Sequence, residues 1–462
     1  MAFFSGMALW GIVSTFILIV SIPYSLPAIL TVQVILLAFL LWFTGKDRLE
    51  FNKGFLIGEL RWALLYLPLF IVANLLVGHF NYTHVSSDSL QYIGIGEAIA
   101  KSGYFPPPDL VAWKYFLKAR MSFLPTLVAG GKLFDVELFH TIFPLSALYF
   151  IPLFTALFSF AFKESKLTTR LRILIGLVGA LVMATVPAYL YHAYYINQNM
   201  FVAVFYTICL VFIFIYSREC KVEWLVIAAV FLSATTLMRT EMTFFSIVPI
   251  AALMGVGNLK KRHYGLFLFT FLALSLPFQL FTAIKLGSKG HYHGWPLGQT
   301  FVYVIYLCTY FAVHYKVTRN KLAGFSPLIL CATLLLFILI RLNINANMLQ
   351  SIKDLLDIVV YSKGLHHWSV IWFAITAVMG IGIIFIKDRS FYYWILILCA
   401  FFLLRVILYS LGLFPPGLKS QFNSGTRILI HIMPIGIMMM LHIFTNALSS
   451  VFTNKDIVKD DR

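Results

Sequence analysis

The fold is decided by a stretch that reads FHTIFPLSALYFIPLFTALFSFAF at 139–162 and continues as KESKLTTRLR at 163–172. The first part is apolar throughout and carries no acidic or basic side chain apart from one histidine. A helix needs about 20 such residues to cross the hydrocarbon core of a bilayer. The second part holds four basic residues, which is typical of a connection on the cytoplasmic side. The stretch therefore predicts a transmembrane helix that ends in the cytoplasm.

The same pattern repeats along the whole chain. Of the 462 residues 61% are hydrophobic and only 11% are charged, whereas soluble domains are about 45–50% apolar and about 25% charged. Apolar runs cover about 5–22, 25–43, 62–78 and 139–162 near the start, and Phe391–Gly412 and Ile428–Leu448 near the end. They are uniformly apolar, which excludes the alternating strands of a membrane barrel. We expect an all-α, polytopic transmembrane helical bundle in which 1–462 form a single membrane-embedded domain.

The connections between the runs predict the topology. Every second connection is basic, as at 163–172, Lys260–Arg262 and Lys387–Arg389, and the intervening ones are longer or less basic. This alternation predicts about fourteen spans with both termini in the cytoplasm and a cytoplasmic tail at 449–462. The run at Met1–Ser21 lacks a basic start and a cleavage site, so we interpret it as the first helix rather than a signal peptide.

Composition and missing motifs exclude several function classes. The formal net charge is +17, but the basic residues cluster in short loops, as topology selection requires, so no nucleic-acid partner is expected. The five cysteines form no CxxC pair, and four of them lie in apolar runs as small core residues. The chain has no Walker A, GxGxxG or GxSxG motif, so no nucleotide cofactor is expected.

The long connection 79–138 is predicted to lie outside the cytoplasm and to contain interfacial helices. A helix is expected over Ser89–Lys101, with Gly103 as a left-handed cap. A second amphipathic stretch, Ala112–Met121, mixes aromatic and basic residues and suits a helix in the membrane interface.

Asp88 allows two interpretations. It is part of the N-cap of the following helix, or a general base or metal ligand at the mouth of a membrane cavity, and both roles can hold together. Tyr92 follows one turn later and is a candidate substrate contact. Glu97 comes nine residues after Asp88, on the opposite side of a continuous helix, and is expected to be solvated or ion-paired.

Three arginines are candidate anion ligands. Arg239 and Glu241 share a tight turn, where they either form a mutual ion pair or leave Arg239 to meet an anion. Arg427 precedes the last apolar run, where it either grips phosphate oxygens or extends to the interface as an anchor. Arg405 lies inside an apolar run, and charges there usually face the bundle interior or a water-filled cavity.

Two histidines, His291 and His293, lie in an outer connection with one residue between them. In an extended loop they would share a face, but no third ligand is near, so we predict no metal site. A loop that touches substrate and a plain surface loop both remain open.

Three motifs resemble the GT-C superfamily of glycosyltransferases. The sequence at 87–98, SDSLQYIGIGEA, resembles the first outer loop of these enzymes. Leu237–Glu241 resembles their mid-chain Arg-x-Glu turn, and Gly425–Pro434 resembles the arginine-containing start of a late helix. The motifs occur in the family's order across most of the chain.

The resemblance implies transfer of a sugar from a polyprenyl-phosphate donor to a glycan, lipid or protein acceptor on the extracytoplasmic face. Asp88 would activate the acceptor hydroxyl, and Arg239 and Arg427 would hold the donor phosphate; we add Arg405 as a further candidate phosphate ligand. Glu241 is a candidate substrate contact. A divalent cation is left open as a cofactor.

Other functions remain open at this stage. The alternatives are a transporter or flippase of lipid-linked glycans, a protein resembling O-antigen polymerases, and a membrane protein without a catalytic role. The bilayer is the expected environment in every case, and we favour a prokaryotic cytoplasmic membrane.

Overall fold

The computed structural model describes 1–44, 87–106, 122–256, 259–285, 302–309, 311, 325–342, 345–359, 368–385, 389–411 and 428–460. These residues are helical almost throughout and contain no β-strand, which confirms the all-α prediction. The helices are Ala2–Ile19, Leu26–Thr44, Ser87–Ser102, Phe123–Leu133, Leu138–Ala161, Thr169–Thr185, Pro187–Tyr194, Asn199–Glu219, Val222–Thr236, Glu241–Phe245, Ile247–Met254, Lys261–Lys285, Ser326–Leu342, Ala346–Val359, Ile371–Phe385, Arg389–Ser410 and Met433–Asp460, with a 3-10 turn at Ile428–His431.

Five of the described helices are long and apolar enough to cross a membrane. They are Ala2–Ile19, His140–Ala161, Asn199–Glu219, Lys261–Ile284 and Phe391–Ser410. A sixth span results if Thr169–Thr185 and Pro187–Tyr194, which meet at an angle of 74°, count as one broken span. Further described apolar helices of 10–17 residues occupy most of the other predicted runs. The number fourteen stays a prediction, and the third predicted run, 62–78, lies outside the described residues.

The helix Asn199–Glu219, called the central helix below, lies inside the bundle. All its residues from Asn199 to Tyr216 are buried. Its sequence is apolar on every side between a polar start and a polar end, which is compatible with burial among other helices. Its neighbours include Val222–Thr236 and Leu138–Ala161. Polar groups at the start of the central helix are thereby held in the interior of the protein.

The described parts of the connection 79–138, residues 87–106 and 122–138, contain one predicted and one unpredicted helix. The expected helix is present as Ser87–Ser102, and Gly103 follows it with φ of +75° and donates its N–H to the Ile99 carbonyl at 2.8 Å, which confirms the left-handed cap. The helix Phe123–Leu133 was not predicted, and its first nine residues are buried. Gly96 permits this packing, because a Cβ there would lie 2.5 Å from the Val128 side chain. The predicted interfacial stretch 112–121 lies outside the described residues.

The break between Thr185 and Pro187 shapes the approach to the central helix. Proline fits the first turn of a helix, whereas further along it removes an N–H and clashes with the preceding turn, which kinks or ends the helix. The short helix Pro187–Tyr194 therefore leaves the direction of its predecessor by 74°. Four residues, 195–198, then lead into the central helix.

Candidate functional site

Buried polar side chains collect at the start of the central helix. They come from the short helix after the break, the turn at 195–199, the turn that holds Arg239 and Glu241, and the 3-10 turn before the last helix. Their exposed fractions run from 0% for His431 to 7% for Arg239. The polar cluster, as we name it, comprises His192, Asn197, Asn199, Arg239, Glu241 and His431. Buried polar groups are stable only when they are hydrogen-bonded, so the contacts of these side chains are informative.

Arg239 is held by two neighbours. Its Nε donates to Oε1 of Glu241, and its Nη1 donates to Oδ1 of Asn199 at 2.6 Å. The arginine and glutamate side chains are 8% and 5% exposed, so the ion pair is a buried one. The prediction of a mutual ion pair is therefore confirmed. Binding of an anion by Arg239 stays a prediction.

Asn199 joins two parts of the chain that are 232 residues apart. Its Oδ1 also lies 3.1 Å from Nε2 of His431. Because Oδ1 only accepts, the hydrogen of this bond must sit on Nε2, which makes Nδ1 an acceptor in the neutral ring. Among the described residues, neither Nδ1 of His431 nor Nδ2 of Asn199 has a hydrogen-bond partner. These two buried atoms, an acceptor on His431 and a donor on Asn199, are therefore not used in the hydrogen bonds of the cluster.

His192 and Asn197 complete the cluster from the chain segment before the central helix. His192 is 1% exposed and lies near enough to His431 to interact with it electrostatically. The Oδ1 of Asn197 accepts the backbone N–H of Asn199 at 2.9 Å, which fixes the entry of the chain into the central helix. The break between Thr169–Thr185 and Pro187–Tyr194 is therefore followed by a segment whose polar side chains lie in an otherwise apolar interior.

The helix that carries Asp88 packs against the same segment. Oγ of Ser89 donates to the Ile196 carbonyl at 2.9 Å, and Tyr92, one turn later, is 1% exposed. The helix begins at Ser87, so Asp88 is in its first turn rather than before it. A carboxylate is favoured there by the helix dipole. The side chain of Asp88 lies outside what the structure describes.

Glu97 lies on the same helix and is paired with a lysine. Its Oε1 lies 3.3 Å from Nζ of Lys132, which confirms an ion pair. The hydrogen bond that Lys132 donates to Glu97 raises the pKa of Lys132 above its usual 10.5. Glu97 is thus a structural carboxylate at the edge of the bundle.

Arg405 belongs to a second polar contact. It is fully buried, donates from Nη1 to the Ser351 carbonyl at 3.0 Å and lies over the Tyr409 ring. Ser351 is on Ala346–Val359, a helix in a connection for which no helix was predicted. Arg405 faces the bundle interior, as a charge within a span does. Its role as a phosphate ligand stays a prediction.

Several predicted residues cannot be compared with the structure. Arg427, His291 and His293 lie outside the described residues, although the 3-10 turn that contributes His431 begins directly after Arg427. Within the described ranges, no group of three or more His, Cys, Asp or Glu side chains could hold a metal ion.

Sequence reasoning missed His192, Asn197, Asn199 and His431 as site residues. One signal was present, because Asn197-Gln198-Asn199 places three amides directly before an apolar run. His431 lies inside the motif at Gly425–Pro434, where only the arginine was selected. Comparison of the chain with protein-family models, with curated proteins and with solved structures gives no match.

Proposed function

We propose that the protein is an integral membrane glycosyltransferase that transfers a sugar from a polyprenyl-phosphate donor to a glycan, lipid or protein acceptor on the extracytoplasmic face. One observation carries the proposal. The three segments that resemble GT-C enzymes meet around the start of the central helix, through Ser89 to Ile196, Arg239 to Asn199 and His431 to Asn199. These segments are far apart in the sequence, so their meeting is independent of the resemblance itself.

The chemistry of the proposed reaction suits such a cluster. When the sugar leaves, negative charge develops on the lipid phosphate, and donors held in place inside a low-dielectric site stabilise it best. The contacts of Arg239 with Glu241 and Asn199 fix its guanidinium before a donor arrives. In the proposal Arg427 supplies a second cation and Arg405 a third, while Asp88 takes the proton from the acceptor hydroxyl.

The remaining proposed contacts concern the acceptor and the sugar. Tyr92 and Glu241 come from the two segments nearest the start of the central helix, and His291 and His293 would approach from an outer loop. We further propose about fourteen spans and cytoplasmic termini, which the alternation of basic connections supports. The proposed location is a prokaryotic cytoplasmic membrane.

Transfer from radiolabelled polyprenyl-phosphate sugars tests the proposal. Membranes that hold the native protein, Asp88→Asn or Glu97→Gln at equal abundance would be compared. Glu97 is the matched control, because it is a carboxylate on the same helix that is paired with Lys132. We expect Asp88→Asn to lose transfer by about 100-fold or more, the range of a general base, while Glu97→Gln keeps it. Equal transfer by all three proteins would remove Asp88 from the mechanism.

The 74° break also supports a second candidate, a transporter or flippase of lipid-linked glycans. Broken helices near the middle of a bundle are typical binding elements of transporters, because their ends present polar groups to a cavity. Proteoliposomes distinguish the two functions: a flippase moves the intact lipid-linked glycan between leaflets, and a transferase cleaves its sugar–phosphate bond. Joining of lipid-linked glycans to one another would indicate the third candidate, a protein like the O-antigen polymerases.

A further inference from the structure

An apolar groove runs along the outside of the bundle between Leu138–Ala161 and Thr169–Thr185. Its volume is about 670 Å³. Much of its lining is apolar and includes Leu148, Ala156 and Ile173. One end is polar and is formed by three side chains, Lys163, Thr169 and Arg172. The groove therefore matches an anionic amphiphile, with a long apolar part for its chain and a short cationic part for its headgroup.

Two features of the sequence produce the groove. Pro152 lies within the helix Leu138–Ala161 and lines the groove, and an interior proline removes a helix hydrogen bond and bends the helix. The two helices pack closely beside the groove, because a Cβ at Gly176 would lie 3.1 Å from the Thr155 carbonyl oxygen. The groove lies next to this close approach and is bordered by Pro152.

The cationic end is held rigidly. Arg172 donates from Nη1 to the Lys163 carbonyl at 2.5 Å and from Nη2 to Oγ1 of Thr169 at 3.0 Å. Its side chain is nine-tenths buried, and its Nε has no partner among the residues that the structure describes. Lys163 lies beside Arg172. Its side chain is 42% exposed, and its Nζ is ion-paired with Glu219. The guanidinium is thus oriented in advance by two of its five N–H groups, and three N–H groups, including that of Nε, are not used in these bonds.

The surroundings indicate what occupies the groove. Leu148, Ile173 and Leu177 are each more than a third exposed, so this side of the bundle faces lipid if the helices cross a membrane. The segment 163–172 carries four basic residues and one acidic residue, which places positive charge at the depth of the lipid phosphates. Basic pockets between transmembrane helices at this depth bind anionic headgroups.

We propose that this groove binds one anionic phospholipid. The phosphate lies against Arg172 and Lys163, and one acyl chain follows the apolar lining towards Leu148. The proposal does not depend on the glycosyltransferase function, because the groove lies on the outside of the bundle and the polar cluster lies in its interior.

Native mass spectrometry of the full-length protein tests the proposal, with phosphatidylglycerol and phosphatidylcholine of identical acyl chains as probes. We expect one tightly held phosphatidylglycerol, bound about tenfold more tightly than phosphatidylcholine. Arg172→Gln should abolish this preference. Ala156→Trp should abolish retention, because the indole fills the groove without changing any charge. Arg170→Gln is the matched control: Arg170 is exposed, belongs to the same segment and does not line the groove, so its loss should leave binding within about twofold.

Unfolding temperatures of the three variants show whether they are folded, and Ala156→Trp keeps the test decisive if Arg172→Gln is unstable. Equal retention of the two phospholipids by the native protein would overturn the proposal. So would undiminished phosphatidylglycerol binding by Ala156→Trp. Displacement of phosphatidylglycerol by an equimolar polyprenyl phosphate would also overturn it, because the occupant would then be a carrier lipid.

Discussion

Replacing Glu241 by Met should lower the free energy of unfolding by about 3–5 kcal/mol, since it leaves Arg239 as a buried charge without its carboxylate. The two side chains are only 8% and 5% exposed, so water cannot take the place of the missing partner. Arg239→Met should cost a similar ~3–5 kcal/mol for the stranded Glu241. It also removes the hydrogen bond to Asn199, whose Oδ1 is then left with His431 alone.

The double variant Arg239→Met/Glu241→Met should be more stable than either single variant. Apolar residues of similar volume often replace a buried ion pair at little cost, so the remaining loss is that of the Asn199 hydrogen bond, about 1–3 kcal/mol. If the effects were independent, the two single losses would add up to ~6–10 kcal/mol. The structure therefore predicts a coupling of at least ~3 kcal/mol between the two positions.

Unfolding of the purified protein by sodium dodecyl sulfate in mixed micelles, followed by tryptophan fluorescence, measures these differences. The pair of Lys132 with Glu97 serves as the control, because it is partly exposed and should show coupling below about 1 kcal/mol. Losses of less than ~1 kcal/mol in both single variants, or additive losses in the double variant, would refute the buried ion pair and with it the geometry of the polar cluster.

Three smaller effects follow from other contacts, and the same titration measures them. Ser89→Ala should lower the free energy of unfolding by about 1–3 kcal/mol, because it leaves the buried Ile196 carbonyl without its donor. An unchanged free energy of unfolding would show that this hydrogen bond does not hold Ser87–Ser102 against the segment 195–198. Gly103→Ala should cost about 1–2 kcal/mol, because φ is +75° there, and Gly103→Asn should cost less. Lys132→Gln should cost less than about 1 kcal/mol. Since the hydrogen bond to Glu97 raises the pKa of Lys132 above 10.5, this contribution is complete at neutral pH and is lost on the basic side as the pH rises through the raised value; loss between neutral pH and about pH 10 would contradict the assignment.

Local features of the fold could be predicted from the sequence because their causes are local. The apolar run at 139–162 predicts a helix, and the structure has one at Leu138–Ala161. Gly103 predicts the left-handed cap, because few other residues adopt that conformation. The pairing of Arg239 with Glu241 was also accessible, since two residues of one turn are always near each other.

Features that depend on distant contacts could not be predicted. Phe123–Leu133 is short and rich in glycine and resembles a loop, and it becomes a helix in the interior because Gly96 lets it approach. Asn199 and His431 are ordinary polar residues in their local sequence. Their importance comes only from a contact across 232 residues, which no local pattern encodes.

That contact also has a consequence for biosynthesis. A ribosome adds about 5–20 residues per second, so roughly ten to fifty seconds separate the synthesis of Asn199 from that of His431. During this interval Oδ1 of Asn199 lacks its imidazole contact, whereas Arg239, which is synthesised only 40 residues later, already supplies the other one. A chain that stops before the turn Ile428–His431 lacks the imidazole contact altogether. The turn before the last helix therefore completes the buried start of the central helix late in synthesis.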